Sequence, residues 1–253
     1  MLSGFDFLFA GLAAVAAGTV NALAGGGTLI TFPVLVALGM PVVSANATNT
    51  VSLCPGYLGA TLAQSSDLRG QAGRMRMALP AAAIGGLLGG LLLLNTGERA
   101  FRGLVPFLIL LASLLLAVQE PLRAWLLRRA GKAGAGFEPR AVLPLGLAAV
   151  YGGYFGAGLS VIVLAVLGLF MKDNLTRLNA LKQAVALATN IAAAAVFVFS
   201  EHVSWPAVLI MAGGALIGGA IGGRLAGRVR PAVLRWIVVA FGLACAVVYF
   251  VRG

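Results

Sequence analysis

The sequence predicts an all-α integral membrane protein with about ten hydrophobic segments in two inverted five-segment repeats. Three observations predict it: the composition, the spacing of the apolar runs and the sidedness of the basic residues. Of 253 residues, 60% are hydrophobic and 10% charged, and the mean hydropathy is +1.01. Soluble domains run nearer about 45–50% apolar and about 25% charged. A globule of this length still needs a polar skin. Lipid is the solvent that makes this composition reasonable.

The apolar runs are 5–24, 28–40, 44–63, 77–95, 101–119, 141–156, 158–171, 178–200, 205–223 and 232–251. They lack the polar–apolar alternation of a barrel strand, so helices are expected. About 20 residues cross a bilayer core upright, and the second, sixth and seventh runs are shorter than that. The first run has no Lys or Arg ahead of it and carries Asp6. It therefore reads as a retained membrane segment, not a secretory signal.

Basic residues set the topology. If all ten runs reverse the chain, 15 of the 18 Lys and Arg fall on one side, with Arg99, Arg102 and Arg252 on the other. Fusing the first run with the second, and the sixth with the seventh, divides them 9 and 9. The positive-inside bias selects ten reversals. Segments 1–2 and 6–7 are then broken or re-entrant helical hairpins, and full crossing and return from mid-depth both fit the count. Both termini face away from the cytoplasm. Five segments per half is an odd number, so the halves are inverted. The expected organisation is an N-terminal membrane repeat (1–119), a cytoplasmic basic linker (120–140) and a C-terminal inverted repeat (141–253).

Traces of the repeat are visible. Gly85, Gly89 and Gly90 recur as Gly214, Gly218 and Gly219, 129 residues on. Asn46-Ala47 recurs as Asn179-Ala180, and Arg102 as Arg235, both 133 residues on. The stretch Ala24-Gly25-Gly26-Gly27 has a counterpart in Gly156-Ala157-Gly158. Internal inverted symmetry marks many secondary transporters.

The glycines also point to a site. Three in a row inside a membrane run disfavour a continuous helix by about 1 kcal/mol each against Ala. They suit a backbone that turns at depth beside a cavity. Asn21, Gly25, Gly26, Gly27 and Thr28 mark one such break, and Gly156, Gly158 and Ser160 the other. A helix restarting there offers free amides and a positive dipole end to an anion. Asn46, Thr48 and Asn49 open the third run, with Asn46 and Asn49 on one helical face. Their amides and hydroxyls suit sulfonyl or carboxylate oxygens. Asn179, Lys182 and Gln183 are the second-half counterparts. Lys182 either reaches a cavity or snorkels to the surface.

Other classes find little support. Net charge is +11, but the charges are dispersed through short loops, which argues against nucleic acid. None of the seven acidic residues falls mid-run, so no buried carboxylate relay is evident. Cys54, Cys245 and the lone His202 make no metal or disulfide pattern. No Walker loop, clustered nucleophile or carboxylate pair suggests an enzyme or a nucleotide-driven pump. No cofactor is expected.

The stretch from Ala17 to Pro33, Leu38-Gly39-Met40-Pro41 with Ala45 to Asn49, and Gly85 to Gly90 together resemble the TauE/SafE family of sulfite and organosulfonate transporters. The resemblance covers essentially the whole chain and is most specific in its first 50 residues. It implies a multi-pass carrier of sulfur-containing or related organic anions in the cytoplasmic (inner) membrane. Its partners would be the small anion, the bilayer and a coupling ion, proton or sodium. A homodimer is the candidate assembly, and an anion channel on the same scaffold is the alternative function. The second half departs from the family pattern by lacking the polar cluster beside Asn179.

Overall fold

The computed structural model describes residues 4–23, 26–129, 139–171, 173–225 and 231–252. The described residues are helical throughout, apart from turns and short connections, and include no strand. The order is α1 (Gly4–Leu23), α2 (Thr28–Ala37), α3 (Val42–Ala63), α4 (Ala72–Thr96) and α5 (Glu98–Ala117). There follow α6 (Gln119–Arg129), α7 (Val142–Tyr154), α8 (Leu159–Phe170), α9 (Leu175–Val198), α10 (Trp205–Leu225) and α11 (Pro231–Arg252). Each of the ten apolar runs is a helix. Among the described residues, six helices are long and apolar enough to cross a membrane: α1, α4, α5, α9, α10 and α11.

Side chains are sorted for lipid. Leu87, Leu88, Leu91 and Leu92 of α4 are exposed, as are Leu104, Phe107, Leu111 and Leu114 of α5. The buried set includes Asn46, Thr48, Asn49, Thr50 and Ser52 of α3, and Thr189 and Asn190 of α9. Polar groups that cannot face hydrocarbon are turned inward.

Small residues set the spacing. The most extensive helix pairings are α1 with α10 and α4 with α7. A Cβ on Gly85 or Gly89 of α4 would lie 2.5 or 2.1 Å from the carbonyl oxygens of Gly146 and Val150 in α7. On α10, a Cβ on Gly214 or Gly218 would lie 2.7 or 2.0 Å from those of Gly11 and Val15 in α1. Helix backbones touch at these points, which is how helices gain contact when lipid gives no hydrophobic drive. Helices α3 and α9 pack on each other, and so do α5 and α11.

Charged groups fix the ends. Glu98, at the start of α5, accepts hydrogen bonds from the Val42 and Val43 amides that open α3. Between α8 and α9, Asp173 is 2% exposed. It pairs with Arg74 of α4 and, at 3.1 Å, with Arg177 of α9. Burial alone would push its carboxyl up, but hydrogen bonds from Arg74, the Asn174 amide and Arg177 hold it below the ordinary carboxylate value. Asn174 caps α9 by accepting the Arg177 amide at 2.8 Å.

Residues 120–140, read from the sequence as a basic linker, are described in part. Their first half is helix α6, and the stretch 130–138 lies outside the described residues. Flanking arginines mask the apolar stripe of α6. Leu122 packs on the core, and Leu126 is 4% exposed. Leu126 fills the space where a side chain on Gly168 of α8 would stand.

A paired substitution tests the backbone contact. Gly218→Ala should destabilise the detergent-solubilised protein by about 1–3 kcal/mol through overpacking, read as a lowered thermal unfolding midpoint. Gly219→Ala, where a Cβ meets nothing within 4 Å, should not lower the midpoint and should raise it slightly, by up to about 1 kcal/mol of helix propensity.

Candidate functional site

Helix α1 gives way to α2 at the first glycine cluster. Gly26 has φ +92°, a left-handed conformation, and a side chain there would run into Leu116 of α5 at 2.5 Å. Asn21 accepts the Gly27 amide on its Oδ1 at 2.7 Å. The Leu29 amide turns back to the Gly26 carbonyl, and those of Ile30 and Thr31 to Gly27. Gly25 lies outside the described residues.

Helix α7 gives way to α8 in a similar manner. Gly156 and Gly158 have φ +80° and +79°. The Tyr151 hydroxyl ties the loop by donating to the Ala157 carbonyl at 2.6 Å. The Leu159 amide bonds to Gly156, and those of Val161 and Ile162 to Gly158. The Ser160 amide takes part in none of these turn bonds.

The two breaks line one cleft. Asn21, Gly26, Gly27 and Thr28 contribute from the first, and Gly156, Ala157, Gly158 and Ser160 from the second. Its empty volume, counted out into the space at its mouth, is about 320 Å³. No charged side chain is among its described lining residues. What converges there is two helix N-termini, three hydroxyls (Thr28, Tyr57 and Ser160) and two side-chain amides (Asn21 and Gln119). A negative solute suits such a site, since helix starts and neutral donors attract it without a buried full charge.

Asn46 and Asn49 stand behind the cleft, not in its lining. Asn46 is fully buried and donates from Nδ2 to the Tyr154 carbonyl at 2.8 Å, at the end of α7. Asn49 reaches the start of α2. Its Oδ1 meets the Thr31 hydroxyl, and its Nδ2 lies 3.5 Å from Thr28 Oγ1. One face of α3 thus braces both breaks, with one asparagine each. Thr48 accepts the Ser204 amide at 3.0 Å, holding the loop before α10. Asn179 is bonded to Lys182, Nζ to Oδ1 at 3.3 Å. Neither of these two nor Gln183 is among the residues lining the cleft.

Sequence reasoning missed Tyr57, Leu116 and Gln119, which line the cleft with Ala157, Leu159 and Val161 of the second break. Tyr57 and Leu116 sit in apolar runs and give no local signal. Gln119 does: it is the polar side chain that closes the run 101–119, at the α5–α6 junction.

Comparison with known proteins agrees with this architecture. The family model described as "Sulfite exporter TauE/SafE" matches residues 10–249. The chain belongs to the TauE/SafE family. A "Probable membrane transporter protein" of Haemophilus influenzae is 27% identical over 238 residues, covering 91% of this chain and 89% of that one. "Probable membrane transporter protein YfcA" of Escherichia coli K12 is 25% identical over 212 residues, covering 84% and 77%. "Probable membrane transporter protein ORF9" of Sinorhizobium sp is 28% identical over 257 residues, covering 95% and 90%. This chain is a multi-pass membrane transporter of that TauE/SafE family.

The brace is testable by stability. Asn49→Ala should leave the Thr31 hydroxyl with only the Gly27 carbonyl, remove the contact to Thr28, and cost about 1–3 kcal/mol, the usual range for a broken buried hydrogen bond. Thermal unfolding in detergent checks it. Asn95→Ala, whose side chain is exposed and bonds only its own helix, serves as the neutral control.

Proposed function

We propose that the chain is a secondary transporter moving a small sulfur-containing or organic anion, such as sulfite or an alkyl or aryl sulfonate, by alternating access. One observation carries the reading. The N-terminal ends of α2 and α8, each with a hydroxyl (Thr28 and Ser160), share a cleft whose described lining includes no acid. Sulfite and sulfonate present several oxygens on one compact centre. Those oxygens accept several hydrogen bonds at once, which several short neutral donors can supply. The family's own description names sulfite.

The repeat supplies the motion in this reading. Exchanging α1–α5 with α7–α11 maps α1 on α10 onto α7 on α4, and α3 on α10 onto α9 on α4. The glycine contacts of α4 and α10 follow the same exchange. These recurrences support two inverted five-segment repeats, with α1–α2 and α7–α8 as broken hairpins. Both termini then lie on the non-cytoplasmic side, and the basic loops on the cytoplasmic side of the inner membrane. One repeat rocks against the other around the site where the breaks meet. A proton or sodium gradient, or the anion's own gradient, drives net transport.

Proteoliposomes test the reading. Labelled sulfite, or an alkyl or aryl sulfonate, should accumulate with saturable kinetics under an imposed gradient. Thr28→Val and Ser160→Ala should each raise the half-saturating concentration roughly 5–10-fold, one lost hydrogen bond apiece. Absence of flux for every small anion would sink the proposal, and unitary currents would favour a channel.

A further inference from the structure

An aromatic cluster packs next to the two breaks, outside the lining of the cleft. Phe32 of α2, Phe101 of α5 and Phe155 at the α7–α8 break are each at most 1% exposed. Phe32 meets Phe155 edge-on at 5.3 Å and 84°, and Phe101 at 6.4 Å and 75°. Phe101 also contacts Phe155 at 6.4 Å and Tyr154 at 5.4 Å. Edge-to-face rings at these separations attract one another. Both breaks feed the cluster directly. Phe155 immediately precedes Gly156, and Phe32 lies one helical turn beyond Thr28.

Helix α5 measures where the cluster lies. Phe101 is in its first turn, and Leu116, which lines the cleft, is in its last. That length of helix spans about 22 Å at 1.5 Å per residue. Glu98 holds the opening amides of α3, so α3 and α5 start from a common end. The cleft takes Tyr57 and Leu116 from their far halves, and Gln119 from beyond. The cleft therefore sits towards the α6 end of these helices, and the rings pack at the Glu98 end. A hydrated anion cannot pass three interlocked rings in a dry core.

We propose that Phe32, Phe101 and Phe155 form the gate on the Glu98 side of the cleft, and that this structure is the state with that gate shut. The inference rests on the reading of the cleft as the transport site. The charge count puts α6 on the cytoplasmic side, so the shut gate is the outer one. Two of the three rings ride on segments that also line the site, Phe32 on α2 and Phe155 on the second break. An anion that shifts either helix start moves a ring of the gate with it. The third ring, Phe101, sits on α5, whose start is tied to α3 through Glu98. By the spacing that relates Arg102 to Arg235, the position matching Phe101 in the other half is Leu234. The aromatic seal is thus one-sided.

Cysteine accessibility tests the gate without reference to flux. Ser160→Cys supplies a reporter in the cleft, with Cys54→Ala and Cys245→Ala removing the native thiols. A membrane-impermeant thiol reagent is applied to right-side-out and to inside-out vesicles. The reporter should react from the α6 side and not from the Glu98 side. Adding Phe101→Ala should raise the rate from the Glu98 side at least roughly tenfold, as a population shift between two states would. Phe101→Leu and Phe32→Leu, milder changes, cover the case in which the alanine variant fails to fold, and thermal unfolding identifies that case. Labelling from the Glu98 side in the unmodified gate would overturn the proposal. So would unchanged one-sided labelling in folded gate variants. A transport-dead chain with intact one-sided labelling would separate failure of the transport reading from failure of the gate.

Discussion

The constraint on which the structure depends is backbone satisfaction away from water. A break inside a membrane helix frees amides and carbonyls that lipid cannot bond. Among the described residues, α1 gives way to α2 and α7 to α8, and side chains from within the protein support each junction. Asn21 takes the Gly27 amide, and Asn46 donates to the carbonyl at the end of α7. Asn49 holds the hydroxyls of the first α2 turn. The cleft is what remains where the two supported breaks face each other.

Close helix packing makes that geometry reachable. The glycines of α4 and α10 let α7 and α1 approach until backbones touch. Those two helices are the ones that end at the breaks. The break positions are therefore set by the tightest contacts in the molecule. Neutral lining follows from the same economy. Helix starts carry partial positive charge, and no lysine or arginine is among the described lining residues. Arg74 and Arg177 are instead engaged by Asp173, in the segment between α8 and α9. On that account α8, which carries Ser160, is anchored at its far end while its start stays with the cleft.

Much of this was legible in the sequence, for physical reasons. Apolar runs report helices because lipid demands them, and each run is one. Glycine clusters beside hydroxyls report breaks, since few other residues tolerate positive φ or allow Leu116 so near. The polar stretch of α3 reported buried polar groups but not their partners. Asn46 and Asn49 share a face, yet nothing in the sequence says that one bonds the end of α7 and the other the start of α2. Helix α6 was hidden because its apolar residues alternate with arginines. The aromatic cluster was hidden more deeply. Phe32, Phe101 and Phe155 are far apart in sequence, and a phenylalanine in an apolar run carries no signal. Tyr57 and Leu116 were silent on the same ground.

Everything functional above depends on the two helix starts meeting around one solute. Thr28→Cys with Ser160→Cys, in a chain lacking Cys54 and Cys245, tests this most directly with a short bifunctional thiol reagent. The account predicts an intramolecular bridge that forms readily and is slowed by sulfite or a sulfonate in a saturable manner. A pair that never bridges, or that bridges at a rate indifferent to every small anion tried, would contradict it.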